Sequence, residues 1–314
     1  MTEPTPASVT NPSDGALASL DRAGVWLNSG PLTADALRGR LVLVDFWTYS
    51  CVNWLRTLPY VRAWAETYAD RGLVVVGVHA PEFGFERDLD NVRRAVTNLG
   101  VAYPVVIDND FAVWRSFDNH YWPALYLVDT DGRVRFHHFG EEAYDEIERA
   151  VQRLLGVDGK LVQVDAAGLC AAAAWDTLKS PETYVGYARG ERRSDHGADR
   201  LALNEWALAG RWSDDEDSAV LEEALGSIAF CFEARDLNLV MAPADARDPV
   251  RFKVLLEGQP PRGDHGLDVN EAGEGAVSEP RMYQLIRQRG PIRQRTFEVT
   301  FLDRGVRAYA FTFG

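Results

Sequence analysis

Cysteine is scarce in this chain, and none of it is clustered. The 314 residues hold three cysteines, Cys51, Cys170 and Cys231, far apart in sequence. An odd, sparse count does not make the disulfide framework of a small secreted module. Positive charge is short as well: 33 Lys and Arg stand against 47 Asp and Glu, a net charge of −14. That balance argues against nucleic acid and anionic membrane surfaces as partners and suits plain solubility. No apolar run approaches the roughly 18 residues a spanning helix needs, so no membrane insertion is expected. No charged-then-apolar leader opens the chain, which leads to the expectation of a cytoplasmic protein. His120, His137 and His138 carry no metal-ligand spacing with cysteines, and neither metal nor cofactor is expected.

What the chain does have is one dense stretch, Leu41 to Pro59, LVLVDFWTYSCVNWLRTLP. Leu41 to Val44 form an aliphatic run suited to a parallel strand covered on both faces. Asp45, Phe46 and Trp47 close it, and Cys51 follows where a helix should begin. Trp54, Leu55 and Leu58 then share one helical face, and Pro59 should bend the helix. A cysteine at a helix N-terminus meets unpaired N–H groups and the positive end of the dipole. Both favour the thiolate, the reactive form.

An apolar content of 46% lets each of two domains bury a core. Residues 1–20, rich in Thr, Pro, Ser and Ala, are expected to be a disordered arm. The first domain is expected over 21–156. Its elements are an edge segment at Trp26, a short helix capped by Thr33, the central strand, and a helix from Cys51 to about Arg71. A strand over Leu73–His79, an amphipathic helix over Asp88–Gly100, a strand to Ile107 and a helix over Phe111–Phe117 follow. Trp122-Pro123 precedes the strand Ala124–Val128. Asp131-Gly132 marks a hairpin into Val134–Phe139, and Tyr144–Leu155 is a closing helix.

Phe46, Trp47, Cys51 and Pro59 stand in the positions of strand, F-W-x-x-x-C-x-x-C, helix and proline, and this stretch resembles the active-site turn of the thioredoxin fold. The order of elements is similar to its redoxin branch, the thiol–disulfide oxidoreductases of cytochrome maturation and the peroxiredoxin-like proteins. The resemblance covers roughly 22–156 and implies an α/β thioredoxin-like domain. It departs at one position: the second cysteine is replaced by Trp54, giving C-V-N-W. A dithiol exchanger needs that second thiolate to resolve its mixed disulfide from within. The resemblance further implies that Pro123 is a cis-proline packed against Cys51, with Trp122 offering backbone groups to a partner strand. It implies that Glu82, just after the second strand, handles protons near Cys51. A carboxylate there would raise the thiol pKa against the helix dipole. Thr48, three residues before Cys51, matches half of a peroxidatic motif; the proline expected four residues earlier is Val44.

Residues 157–180 are less regular and are expected to be a linker. From 181 to 314 the texture changes to short strand candidates split by Gly, Pro and Asp, the pattern of a β-sandwich. The segment Glu216–Leu225 comes nearest to a helix. Pro181 to Tyr187, PETYVGY, and the terminal Ala308 to Gly314, AYAFTFG, carry a resemblance to the C-terminal region of DipZ-type proteins. There a thioredoxin-like domain is followed by a sandwich similar to carbohydrate-binding modules. Trp206, Trp212, Tyr283 and Tyr309 could line a glycan-binding face, although at alternate strand positions core is the commoner fate.

The leading expectation is therefore a single-cysteine oxidoreductase acting on protein or small-molecule thiols and disulfides. Cys51 attacks, Glu82 moves protons, and Trp47, Trp54, Trp122 and Pro123 form the partner-binding surround. An external thiol resolves the adduct. The alternatives are a one-cysteine peroxidase and a redox-inactive binding module in which the sandwich holds a glycan or protein.

Overall fold

The computed structural model describes residues 15–195, 197, 200–245 and 247–314. The chain divides into two units, Met1–Glu82 with Glu86–Ala166, and Phe83–Phe85 with Ala167–Gly314.

The first unit is α/β. Its strands are β1 (Trp26–Leu27), β2 (Leu41–Trp47), β3 (Leu73–His79), β4 (Val105–Ile107), β5 (Ala124–Val128) and β6 (Val134–Phe139). Its helices are α1 (Ala34–Leu37), α2 (Val52–Tyr68), α3 (Leu89–Asn98), α4 (Ala112–Ser116) and α5 (Tyr144–Leu155). The sheet order is β1-β4-β3-β2-β5-β6. β2, β3 and β4 run parallel, whereas β5 lies antiparallel to β2. β2 takes the centre because every one of its residues is apolar enough, or well enough bonded, to be buried.

Register then sets the site. Trp47 pairs with His79, so β2 and β3 end together. Phe46 pairs with Ala124, so β5 begins beside the end of β2 and brings Pro123 to the turn that carries Cys51. Gly77 is required in β3, since a Cβ there would lie 2.8 Å from Trp47 Nε1 and 3.0 Å from the Tyr103 ring. α2 continues through Pro59 and ends in a tight turn, Ala69–Arg71, stopped by Gly72 at φ 108°.

The expected disordered arm falls in two parts. Residues 1–14 lie outside the described residues. Residues 15–20 depart from the expectation: Ala16–Arg22 form a 3-10 helix with Ala16, Leu17 and Leu20 buried. Leu17 and Leu20, three apart, present one apolar edge, and Ser116 on α4 donates to the Ala16 carbonyl. Composition alone missed that edge.

The second unit is all-β, with strands β7 (Thr183–Tyr184), β8 (Trp206–Ala209), β9 (Trp212–Asp214), β10 (Ala219–Leu221), β11 (Ser227–Phe232) and β12 (Asp236–Pro243). They continue as β13 (Val250–Leu256), β14 (Glu274–Val277), β15 (Arg281–Arg287), β16 (Arg295–Phe301) and β17 (Val306–Phe313). Two antiparallel sheets, β15-β12-β17-β10-β9 with β7 beside β17, and β14-β13-β16-β11-β8, enclose a core rich in phenylalanine, including Phe230, Phe252, Phe297 and Phe311. The helix considered for Glu216–Leu225 is instead the strand β10, paired with β9 and β17. Its three apolar residues reward sheet burial more than a one-turn helix would.

The segment expected to be a loose linker is held by hydrogen bonds at both ends. The buried Glu148 carboxylate of α5 accepts from Trp64 Nε1, Tyr68 Oη and the Val162 amide, tying its first part into the α/β unit. In the second unit, Arg287 and Arg235 donate to the Gly168 and Ala172 carbonyls. The alanine run 171–174 forms no helix; two single 3-10 turns, Gly168–Cys170 and Trp175–Thr177, flank it.

Candidate functional site

Cys51 is the N-cap residue of α2, in extended conformation, and its side chain makes no capping bond. The sulfur therefore sits at the positive end of a 17-residue helix without being spent on its cap. It is half-buried, and Sγ lies 3.8 Å from the Trp122 carbonyl oxygen. The Trp122–Pro123 peptide bond is cis. Trp122 is anchored from behind, with Nε1 donating to the Ala80 carbonyl and its ring tilted against Trp114 at 4.3 Å. Two loops far apart in sequence therefore meet at one thiol.

None of the three cysteines is in a disulfide. Where a second sulfur would stand, the structure places a buried indole. Trp54 stacks on Trp47 at 4.2 Å and 19°, and both rings are fully buried. Both rings were expected to face a partner, and the structure leaves neither any exposed surface. The Trp54 Nε1–H donates to Asp45 Oδ2 at 3.1 Å, and the Tyr103 hydroxyl donates to the same oxygen at 3.1 Å. Asp45 Oδ1 has no hydrogen-bond partner among the described residues. Burial pushes Asp45 up to about 7, with the Trp54 and Tyr103 hydrogen bonds pulling the other way. At neutral pH the carboxyl is thus poised between acid and carboxylate. Asp45 was not singled out from the sequence. The available signal was a lone carboxylate inside an otherwise apolar strand, LVLVDFW.

His79, across from Trp47, is fully buried, edge-on to Trp47 and stacked near Tyr49. Burial lowers its pKa to about 3, so it is neutral at any physiological pH. His79 thus ends β3 as a core residue.

Glu82 is half-buried beyond the end of β3. The structure brings its backbone into play: the Glu82 amide donates to Oε2 of Glu86 at 2.6 Å. Glu86, unremarked in the sequence, is fully buried, and its Oε1 accepts from Ser50 Oγ at 2.5 Å, next to Cys51 in the chain. Nothing in GFER marks a buried glutamate. One turn into α2, Arg56 forms a buried ion pair with Glu141 at 2.8 Å, fixing the helix to the segment after β6. Thr48 is also buried, and its hydroxyl has no hydrogen-bond partner among the described residues.

In the second unit Trp206, Tyr283 and Tyr309 are buried and Trp212 is packed at the core edge. These four aromatics form no exposed sugar-stacking platform. Among the described residues no cluster suits a metal ion, and no helix is long and apolar enough to cross a membrane.

Comparison with known proteins agrees with this anatomy. Residues 23–154 match the Redoxin family model, and residues 180–314 match the model described as "Thioredoxin like C-terminal domain". The chain is 33% identical over 336 residues to Protein DipZ of Mycobacterium tuberculosis, an alignment covering 98% of this chain and 45% of that protein. The chain thus spans less than half the length of this curated relative. It is 31% identical over 131 residues to the thiol-disulfide oxidoreductase YkuV of Bacillus subtilis, covering 41% of this chain and 87% of that protein. Among solved structures, a thioredoxin-like protein in its oxidised form superposes with a TM-score of 0.40 at 30% identity, covering 44% of this chain and 92% of that one. The chain belongs to the redoxin family of thioredoxin-like proteins, in the two-domain arrangement shared with DipZ.

Proposed function

We propose that this chain is a thiol–disulfide oxidoreductase that works through one cysteine. The observation that carries the reading is Cys51 itself: a half-buried thiol at the α2 N-terminus, not engaged in capping, facing the Trp122 carbonyl, with an indole in place of a second sulfur. The Cys51 thiolate attacks a partner disulfide. A mixed disulfide between Cys51 and the partner forms, the partner's own S–S bond breaks, and the second partner sulfur leaves as thiolate. A small external thiolate then attacks the partner sulfur of the mixed disulfide; a disulfide between partner and small thiol forms, and Cys51 leaves as thiolate.

Trp122 and Pro123 orient the partner strand beside the sulfur. Trp47 and Trp54 act from beneath, keeping the turn rigid and dry. The Trp54 indole also occupies Asp45, the buried acid that lies under this position. Glu82 contributes through its backbone, held by Glu86.

The test is to expose the protein to oxidised glutathione and follow its intact mass with and without added thiol. A long-lived adduct at Cys51, released only when reduced thiol is supplied, is expected. An adduct that clears unaided would mean an internal resolving cysteine, and one that never forms would favour the redox-inactive binding module. The variant Trp54→Cys sharpens the result: its adduct is expected to clear without added thiol, leaving Cys51 in a disulfide with the introduced thiol. The half-matched peroxidatic motif at Thr48 gives a second reading, one-cysteine peroxide reduction. It predicts a Cys51 sulfenic acid formed by peroxide faster than the glutathione adduct.

A further inference from the structure

Glu86 is a fully buried carboxylate placed between the two turns that shape the site. Ser50, itself buried, reaches it from the turn between β2 and α2, and the Glu82 amide reaches it from the turn after β3. One oxygen serves each turn, at 2.5 Å and 2.6 Å. Ser50 is bonded in sequence to Cys51, and the Cys51 amide closes the same turn on the Thr48 carbonyl at 3.3 Å. The next residue is tied down too: Arg87 Nη1 donates to the Asn109 carbonyl and Asn109 Nδ2 to the Arg87 carbonyl. The chain just after Glu86 is therefore held in place.

Burying a carboxylate is costly unless its oxygens are met by donors. A surface residue or an apolar one would hold a simple loop at less cost. The cost is offset here by two short hydrogen bonds, and each fixes a turn to a common point.

We propose that Glu86 is the positioning residue of the reactive thiol, acting through the Ser50 hydroxyl to set the direction of the Cys51 sulfur toward the Trp122 carbonyl. Glu86 lies too deep to meet a substrate; it holds the turn that holds the thiol. With the turn fixed, the sulfur faces the Trp122 carbonyl oxygen at 3.8 Å, and only the protonated form can donate to it. Releasing the turn loses that contact and makes the proton easier to remove. This inference rests on Cys51 being the reactive group of the proposed oxidoreductase, but its test needs only the alkylation of Cys51.

The experiment measures the rate of Cys51 alkylation by iodoacetamide against pH in the full chain and in Ser50→Ala, Glu86→Ala, Glu86→Gln and the Ser50→Ala/Glu86→Ala double variant. Cys170 and Cys231 are replaced by serine throughout. In Ser50→Ala and Glu86→Ala the midpoint of the profile is expected to fall by about one pH unit, a tenfold change in proton affinity. The double variant is expected to show no further fall, because both residues act along one path. Glu86→Gln keeps an oxygen for Ser50 but turns its NH2 group toward the Glu82 amide, so a smaller fall than in Glu86→Ala is expected. Ser50→Ala leaves the Glu86 side chain unaltered, so a fall in Glu86→Ala that Ser50→Ala does not share would mean a through-space effect and overturn positioning. Additive single effects, or Ser50→Ala matching the parent, would overturn it equally. Should Glu86→Ala not fold, the Ser50→Ala and Glu86→Gln profiles decide the matter alone. A failed glutathione adduct alongside the expected alkylation pattern would remove the oxidoreductase reading and leave the positioning role standing.

Discussion

Asp45 and Asp236, one buried aspartate from each unit of this chain, are treated in opposite ways. Asp236, at the start of β12, is clasped by Arg235 and Arg287, with Nε and Nη2 of both guanidinium groups donating to its oxygens at 2.6–3.0 Å. Asp45, in the middle of the α/β sheet, receives among the described residues an indole and a phenol on a single oxygen. Asp236 is held in two ion pairs, and the one with Arg287 ties the start of β12 to β15 at the edge of its sheet. Asp45 is a buried acid left to titrate near neutrality, in the strand that leads into the Cys51 turn. The sheet of the second unit pairs this buried carboxylate with cations, whereas the strand that leads to Cys51 leaves its own with neutral donors.

The largest expected effect breaks the clasp. Asp236→Ala leaves two partly buried guanidinium groups without their carboxylate, at a cost of about 3–5 kcal/mol. Urea unfolding followed by fluorescence should show an early loss of the second unit, while Cys51 alkylation stays at the parent rate. A midpoint within error of the parent would mean that water replaces the carboxylate freely.

The next effect belongs to Asp45 and depends on pH. Its folded-state pKa of about 7 lies above its ordinary value of 3.8, so the folded state binds that proton more tightly than the unfolded chain does. The stability it confers is complete below about pH 4 and is lost as pH rises through 7, by a few kcal/mol in all. His79 has the opposite sign. Its pKa of about 3 lies below its ordinary 6.5, so its contribution is complete above pH 6.5 and is lost as pH falls toward 3. The two slopes offset one another between about pH 4 and 6.5. Asp45→Asn keeps an oxygen for Trp54 and Tyr103 and removes one slope. Its stability relative to the parent should therefore climb steadily from about pH 4 to about pH 7.5. Parallel stability curves for parent and variant across that range would show that Asp45 is not perturbed.

The smallest effect concerns the chain between the units. Because Val162 is bound to Glu148 and Gly168 to Arg287, limited proteolysis should cut within roughly residues 163–167 and spare the flanking segments. Cleavage spread evenly over 156–179 would mean that neither anchor holds.

Much of the α/β unit was legible because its signals are local. An uninterrupted aliphatic run, an amphipathic helix with Val92 and Val96 inward, and a Trp-Pro pair before ALYLV each declare themselves within a few residues. The sandwich was legible as a class from strand length and alternation. Its weaker strands were not: β9 and β14 are only three and four residues long and gain their partners across the sheet. The 3-10 helix at Ala16–Arg22 escaped for a similar reason, since its two leucines count for little until α4 lies over them.

By itself, then, the sequence determined the order of elements, the family resemblance, the cysteine at the helix start and the tryptophan that replaces a second sulfur. Those are facts of identity and spacing along one chain. Tertiary structure alone decided that Trp54 lies buried on Trp47 and bonds to Asp45, and that the carboxylate bridging Ser50 and the turn after β3 is Glu86. Burial, and with it the protonation and reach of a polar side chain, depends on neighbours brought in from 9 to 58 residues away. No local pattern can encode that, because the same glutamate in the same four residues would be solvated if the opposite turn were not there.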